Sequence, residues 1–113
     1  MMSVRLFLAQ RLTALILAPL VLVHLGVIIY AVRSGLSAEE ILGRTRGSLG
    51  WALFYGGFAV AVAAHGAIGL RTVILEWGGL RPGLATAVAW AAALILLALG
   101  LRGVWAVTAG GGL

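Results

Sequence analysis

The chain has 113 residues, of which 63% are hydrophobic and only 10% charged, and its mean hydropathy is +1.15. A soluble domain of this size would not stay in solution with so apolar a composition, so we expect an integral membrane protein. The absence of cysteine excludes disulfides, thiolate metal sites and iron–sulfur ligation within this chain. Any metal must therefore be held by histidine.

The net charge of +5 comes from arginine alone, since the chain has no lysine. The arginines lie at the ends of the apolar stretches, where they serve as interface anchors and contact lipid headgroups. We therefore expect a surrounding lipid bilayer and no nucleic-acid partner. The expected location is the bacterial inner (cytoplasmic) membrane.

Three long stretches carry no charged residue: 12–32, 47–70 and 82–101. Each has close to the ~20 residues that cross a hydrocarbon core of ~30 Å. We predict an all-α fold, a single transmembrane anchor domain over 1–113 with three transmembrane helices: I about 8–33, II about 48–77 and III about 84–108. Between helices I and II, Ser37 and Glu40 match a capping box, which predicts a short surface helix to about Leu42.

Helix II carries His65 deep in apolar sequence, and ionisable residues at such depth are functional candidates. Gly57, Ala61, His65 and Gly69 recur every four residues, so a flat object or another backbone can approach this row closely. A histidine here serves as a haem ligand, as part of a proton relay or as a hydrogen-bonding residue between helices. The small neighbours favour haem, because a porphyrin must lie in van der Waals contact with the helix that ligates it.

The second-helix pattern His65-x-x-x-Gly69-x-Arg71-x-x-x-x-Glu76 resembles the small membrane-anchor (cytochrome b) subunits of succinate dehydrogenase and fumarate reductase, respiratory complex II. Three helices in a chain of this length also match that family. The resemblance therefore extends over nearly the whole chain. It implies half of a heterodimeric or homodimeric haem-binding helix bundle.

The first helix adds Arg11-Leu12-Thr13-Ala14, which looks like the arginine-hydroxyl-small motif of the same anchors. The chain departs from that family at several positions in and near these motifs. Gln10 and Ala14 replace a histidine and a glycine, Phe7 stands where some members have a serine, and Trp77 stands where some have a tyrosine.

The resemblance implies haem b, with His65 as one axial ligand of the iron and a histidine of a second anchor chain as the other. It also implies a quinone, ubiquinone or menaquinone, bound near the surface that faces the flavoprotein and iron–sulfur subunits. Gly69, Arg71 and Arg11 are the further cofactor-binding candidates. The quinone-site candidates are Arg11, Glu76 and Trp77.

His24, in helix I, has two interpretations. It lies ~20 Å along its helix from the membrane face marked by the arginines, whereas His65 lies ~9 Å from it, so the two are not expected to ligate one iron. In two-haem members of the wider family, first-helix histidines also bind haem, which makes His24 a candidate ligand of a second haem. The alternative is a hydrogen bond across a helix interface.

The chain lacks a nucleophile–base pair, a phosphate-binding loop and a carboxylate cluster. We therefore expect a non-catalytic subunit of a succinate:quinone oxidoreductase, which docks the dehydrogenase and passes electrons from iron–sulfur clusters to quinone. Succinate oxidation and fumarate reduction both remain open. The alternative function is a haem-free membrane assembly or small transporter subunit in which His65 serves helix packing.

Overall fold

The computed structural model describes residues 3–109, except for the side chain of Ala38. This part of the chain is helical, with short connections between four helices: α1 (Val4–Ser34), α2 (Ala38–Thr45), α3 (Leu49–Trp77) and α4 (Pro82–Thr108). Three of them, α1, α3 and α4, are long and apolar enough to cross a membrane. The predicted all-α fold with three membrane-spanning helices is confirmed.

The first helix begins earlier than the predicted residue 8. The Ser3 side chain accepts a hydrogen bond from the Leu6 backbone N–H at 3.2 Å, which caps the helix and starts it at Val4. Residues 4–7, which precede the predicted start, therefore form the first turn of α1. Arg5 and Phe7 therefore belong to the same helix as Arg11.

Gly35 ends α1 with a φ of +142°, in the region that favours glycine. A Cβ at this position would also displace the flexible carboxylate of Glu40, but the requirement for glycine comes from the backbone conformation. The Ser37 side chain accepts a hydrogen bond from the Glu40 backbone N–H at 3.2 Å. This bond is the Ser37 half of the predicted capping box, and the helix that it starts runs to Thr45, three residues beyond the predicted end.

The end of α2 and the link to α3 donate hydrogen bonds to the C-terminal end of α4. The Thr45 hydroxyl is buried and donates to the Val107 carbonyl at 2.6 Å. The Gly47 N–H donates to the Thr108 carbonyl, also at 2.6 Å. These carbonyls have no partner within the helix that ends there, so the link satisfies them.

The helix α3 packs against α1 on one side and α4 on the other, and both pairs are antiparallel. The buried residues at these contacts are mainly alanines: Ala31, Ala61, Ala63, Ala67, Ala85 and Ala89. Large apolar side chains point outwards instead, as expected for a surface that faces lipid tails. Small residues let helix backbones approach closely, which is how helices associate where no hydrophobic effect draws them together.

The closest approach of α3 and α4 provides a direct test of this packing. A Cβ on Gly100 would lie 2.8 Å from the Ala59 Cβ, whereas a Cβ on Gly103 would meet nothing within 4 Å. We expect Gly100→Ala to destabilise the folded protein by ~1–3 kcal/mol through overpacking. Gly103→Ala, one turn further along α4, is the matched control. Thermal unfolding in detergent checks the prediction, and equal losses in the two variants would contradict it.

Candidate functional site

His65 lies on α3, half-buried, with its ring directed at α1. Its Nδ1 atom is 3.0 Å from the Thr13 hydroxyl oxygen, a hydrogen bond that joins the two helices. The same hydroxyl oxygen lies 2.8 Å from the Ala9 carbonyl oxygen and 3.0 Å from that of Gln10. Within residues 3–109 the Nε2 atom of His65 has no hydrogen-bond partner. One ring nitrogen is thus engaged and the other remains available.

Gly69 lies one turn beyond His65 on the same side of α3. A Cβ at this position would lie 3.3 Å from the side-chain nitrogen of Gln10, tighter than an ordinary contact. At His65 and Gly69 the neighbour of the small-residue row is therefore α1. Gly57, at the other end of the row, is exposed and has nothing within 4 Å of a Cβ, so the row does not face one neighbour along its whole length.

Gln10 places an unpaired polar atom beside this contact. Its side-chain oxygen is buried and accepts no hydrogen bond from the residues that the structure describes. Such an atom costs ~1–3 kcal/mol, so its presence in an apolar bundle calls for an explanation. A polar group supplied from outside the chain at this corner would remove the cost.

The two arginines expected at a cofactor lie on different faces. Arg11 is exposed on α1, with its guanidinium 5.5 Å from the centre of the Phe7 ring. Arg71 is half-buried between α3 and α4, where its Nε donates to the Thr86 hydroxyl at 3.0 Å. It borders an apolar groove of about 490 Å³ whose lining includes five alanines.

His24 lies at a different level of the bundle. It is eleven residues from Thr13 on α1, which corresponds to ~16 Å along the helix. Its ring meets the rings of Tyr55 and Phe58 edge-on, with centroids 5.8 and 5.3 Å away. Its Nδ1 is buried and has no hydrogen-bond partner among residues 3–109. The structure does not bring the two histidines together.

Glu76 and Trp77 are exposed in the last turn of α3, and Trp77 retains 84% of its accessible surface. Since α1 and α3 are antiparallel, this end of α3 lies at the same end of the bundle as Arg5 and the start of α1. The structure therefore places the predicted quinone-site residues at one end of the bundle, at its surface.

The donor set at His65 fits haem better than a free metal ion. Within residues 3–109 no three or more histidine, cysteine or acidic residues come close enough to hold a metal ion. A porphyrin supplies four nitrogen ligands itself and requires only axial ligands from protein. One histidine with an available ring nitrogen, beside an unpaired buried amide oxygen, is compatible with that requirement.

Sequence reasoning did not assign roles to Thr13 or Gln10 in holding His65. Thr13 was visible as the hydroxyl of the first-helix motif, but its partner depends on the register between α1 and α3. The spacing of residues within each helix contains no information about that register. The antiparallel contact pairs Thr13 with His65 and Gln10 with Gly69.

These features define an all-helical membrane protein in which both histidines lie between α1 and α3, and His65 is hydrogen-bonded across that contact. The sequence matches the succinate dehydrogenase/fumarate reductase transmembrane subunit family over residues 2–101, and the chain belongs to this family. The family resemblance expected from the second-helix pattern is thus confirmed, as is the integral membrane character. Comparison with curated proteins and with solved structures found no match.

Proposed function

We propose that this transmembrane subunit binds haem b through His65 and helps pass electrons from the iron–sulfur clusters of its dehydrogenase to a membrane quinone. The observation that supports the proposal is the state of the His65 ring. The ring is held against α1 through Nδ1, and Nε2 has no partner within residues 3–109. A half-buried imidazole at membrane depth, with one ring nitrogen not engaged by the described residues, could hold a haem iron.

Haem b, when bound, supplies the one-electron redox chemistry. His65 would hold the haem iron through its imidazole. Gly69, one turn from His65, lets α1 approach α3 closely, and the hydrogen bond to Thr13 fixes the position of the ring. Both features affect how strongly the iron is held.

A second anchor chain is part of the proposal, because the family resemblance implies a second histidine ligand for the same haem. His24 does not supply it, since it lies ~16 Å from the level of Thr13 and His65. The flavoprotein and iron–sulfur subunits are the further proposed partners, in keeping with the family. His24 remains a proposed ligand of a second haem, and its unpaired Nδ1 marks it as a polar group without an internal partner.

Purification of the native complex through a tag on this chain tests the proposal. We expect a flavoprotein, an iron–sulfur protein and a second anchor chain to copurify. The pyridine haemochrome assay should give one haem b for each pair of anchor chains. Copurification of the dehydrogenase without haem would remove the cytochrome role and leave the anchor role.

A haem-free role has one observation in its favour. The hydrogen bond between His65 and Thr13 already joins α1 to α3, which is what a packing histidine would do. In that case His65 would serve assembly, as expected for an assembly or small transporter subunit. The same purification distinguishes the two functions, because the haem-free subunit would carry no haem and need not copurify with a dehydrogenase.

Arg11 is the residue that we propose for contact with the quinone. Its guanidinium is exposed and therefore free to donate to a quinone carbonyl, and such charged hydrogen bonds contribute ~1.5–3 kcal/mol. We expect Arg11→Gln to raise the KM for quinone by roughly tenfold or more. Arg33→Gln, an exposed arginine at the opposite end of the same helix, is the control and should leave KM within about twofold. Steady-state quinone reduction by the purified complex checks the prediction, and equal KM values for both variants would contradict it.

Glu76 and Trp77 are included in the proposed quinone site because both are exposed at the end of the bundle where α1 begins. Glu76 is a proposed proton donor to reduced quinone. The same assay applied to Glu76→Gln tests this role, and unchanged turnover would remove it.

A further inference from the structure

The Thr13 hydroxyl has one hydrogen and three polar neighbours. Its oxygen lies 2.8 Å from the Ala9 carbonyl oxygen, 3.0 Å from the Gln10 carbonyl oxygen and 3.0 Å from His65 Nδ1. Carbonyl oxygens only accept hydrogen bonds, whereas a neutral imidazole nitrogen either donates or accepts. The position of the hydroxyl hydrogen therefore decides the role of Nδ1.

The hydrogen belongs on the side of the carbonyl groups. A threonine within a helix commonly donates to the carbonyl one turn earlier, and the Ala9 contact is the shortest of the three. If the hydroxyl pointed at His65 instead, its oxygen would face two carbonyl oxygens at close range without a hydrogen between them. With the hydrogen directed at α1, the Thr13 oxygen accepts, and Nδ1 must donate.

We propose that Thr13 is a positioning residue that holds His65 as the tautomer protonated on Nδ1, leaving the Nε2 lone pair for the haem iron. This inference rests on the proposed function, since it assigns the residue that prepares the proposed ligand. Metal-binding histidines usually donate their second ring N–H to a nearby acceptor, which fixes both tautomer and ring orientation. Here the acceptor is a side chain of the neighbouring helix rather than the backbone of the same helix.

Two consequences distinguish this role from simple packing. A hydrogen bond from Nδ1–H makes the imidazole a stronger donor to iron, which favours the ferric state and lowers the midpoint potential. It also restrains rotation of the ring about its bond to the helix. Loss of the hydroxyl should therefore shift the midpoint potential to more positive values and weaken haem retention.

The experiment compares three variants in the purified complex: Thr13→Val, Thr13→Ala and Thr13→Ser. Valine retains the volume of threonine and alanine avoids any clash, while both remove the acceptor; serine restores it. We expect haem loss to apomyoglobin to become ~10–100-fold faster in the valine and alanine variants, the range for loss of such a supporting contact. Their midpoint potentials should rise, and the serine variant should remain close to the parental protein.

The outcomes separate this inference from the proposed function. The positioning role would be overturned if Thr13→Val or Thr13→Ala had the same midpoint potential and the same rate of haem loss as the parental protein. If His65→Ala contained no haem in the same experiment, His65 would still be the ligand. A serine variant that behaves like the valine variant would also overturn it. A parental complex that contains no haem would overturn the haem proposal and this inference with it.

Discussion

Replacement of His65 by alanine is expected to remove haem b from the purified complex while the subunits remain assembled. The imidazole supplies the only contact between this chain and the iron that the proposal includes, and alanine has no ligand atom. Loss of a supporting contact alone reduces metal affinity by ~10–100-fold, so loss of the ligand should leave less than about a tenth of the parental haem. The pyridine haemochrome assay, expressed per copy of the chain, checks this.

His24→Ala is the matched control, because it removes the same side chain from the other membrane-embedded histidine. Its ring packs against Tyr55 and Phe58, away from the Thr13 contact. We expect it to retain the haem that depends on His65. A second haem that survives in His65→Ala and disappears in His24→Ala would assign that haem to His24. Parental haem content in His65→Ala would exclude His65 as the ligand.

The fold was predictable because its signals are local. Three charge-free stretches of about twenty residues predict three membrane helices from the thickness of the bilayer alone. The helix ends were less certain, since a cap is a single interaction. Ser3 starts α1 before the predicted position, and the helix begun at Ser37 continues to Thr45. Neither extension follows from hydropathy.

The candidate site was predictable only in part, because its geometry depends on contacts between helices. A histidine among small residues indicated a close neighbour, and that neighbour was left open between a flat cofactor and another helix. The structure shows α1 at this position, with Thr13 at His65 and Gln10 at Gly69. The hydrogen bond from Arg71 to Thr86 in the α3–α4 interface is a further contact between helices that the sequence does not predict. The neighbour that a residue faces depends on how its helix is rotated about its own axis. Sequence spacing gives the positions of residues relative to one another within a helix, but not that rotation.

The four-residue row on α3 illustrates the same limit. Four residues advance an α-helix by ~400°, so the row turns by ~40° at each step. Over three steps from Gly69 to Gly57 it rotates by ~120°, far enough to leave the α1 interface. Accordingly, a Cβ on Gly69 would touch Gln10, whereas a Cβ on Gly57 would meet nothing within 4 Å. The two glycines look equivalent in sequence and differ in the structure.

This difference leads to a second large expected effect. Gly69→Leu should push α1 away from α3, because even a Cβ at this position lies 3.3 Å from the Gln10 side chain. Overpacking of this kind costs ~1–3 kcal/mol, and it acts one turn from the Thr13–His65 hydrogen bond. We expect haem content to fall by about tenfold and thermal stability to decrease. The measurements are haem per copy of the chain and thermal unfolding of the purified complex.

Gly57→Leu is the control, since it places the same side chain on the same helix at an exposed position. It should retain haem, because nothing in the described part of the chain lies within 4 Å of a Cβ at this position. Equal haem content in the two leucine variants would show that the approach of α1 at Gly69 does not support the haem site. If both variants lost haem, the Gln10 contact at Gly69 would not account for both losses. The face at Gly57 would then have to contact a partner chain. Only haem loss confined to Gly69→Leu is expected if α1 holds His65 in place.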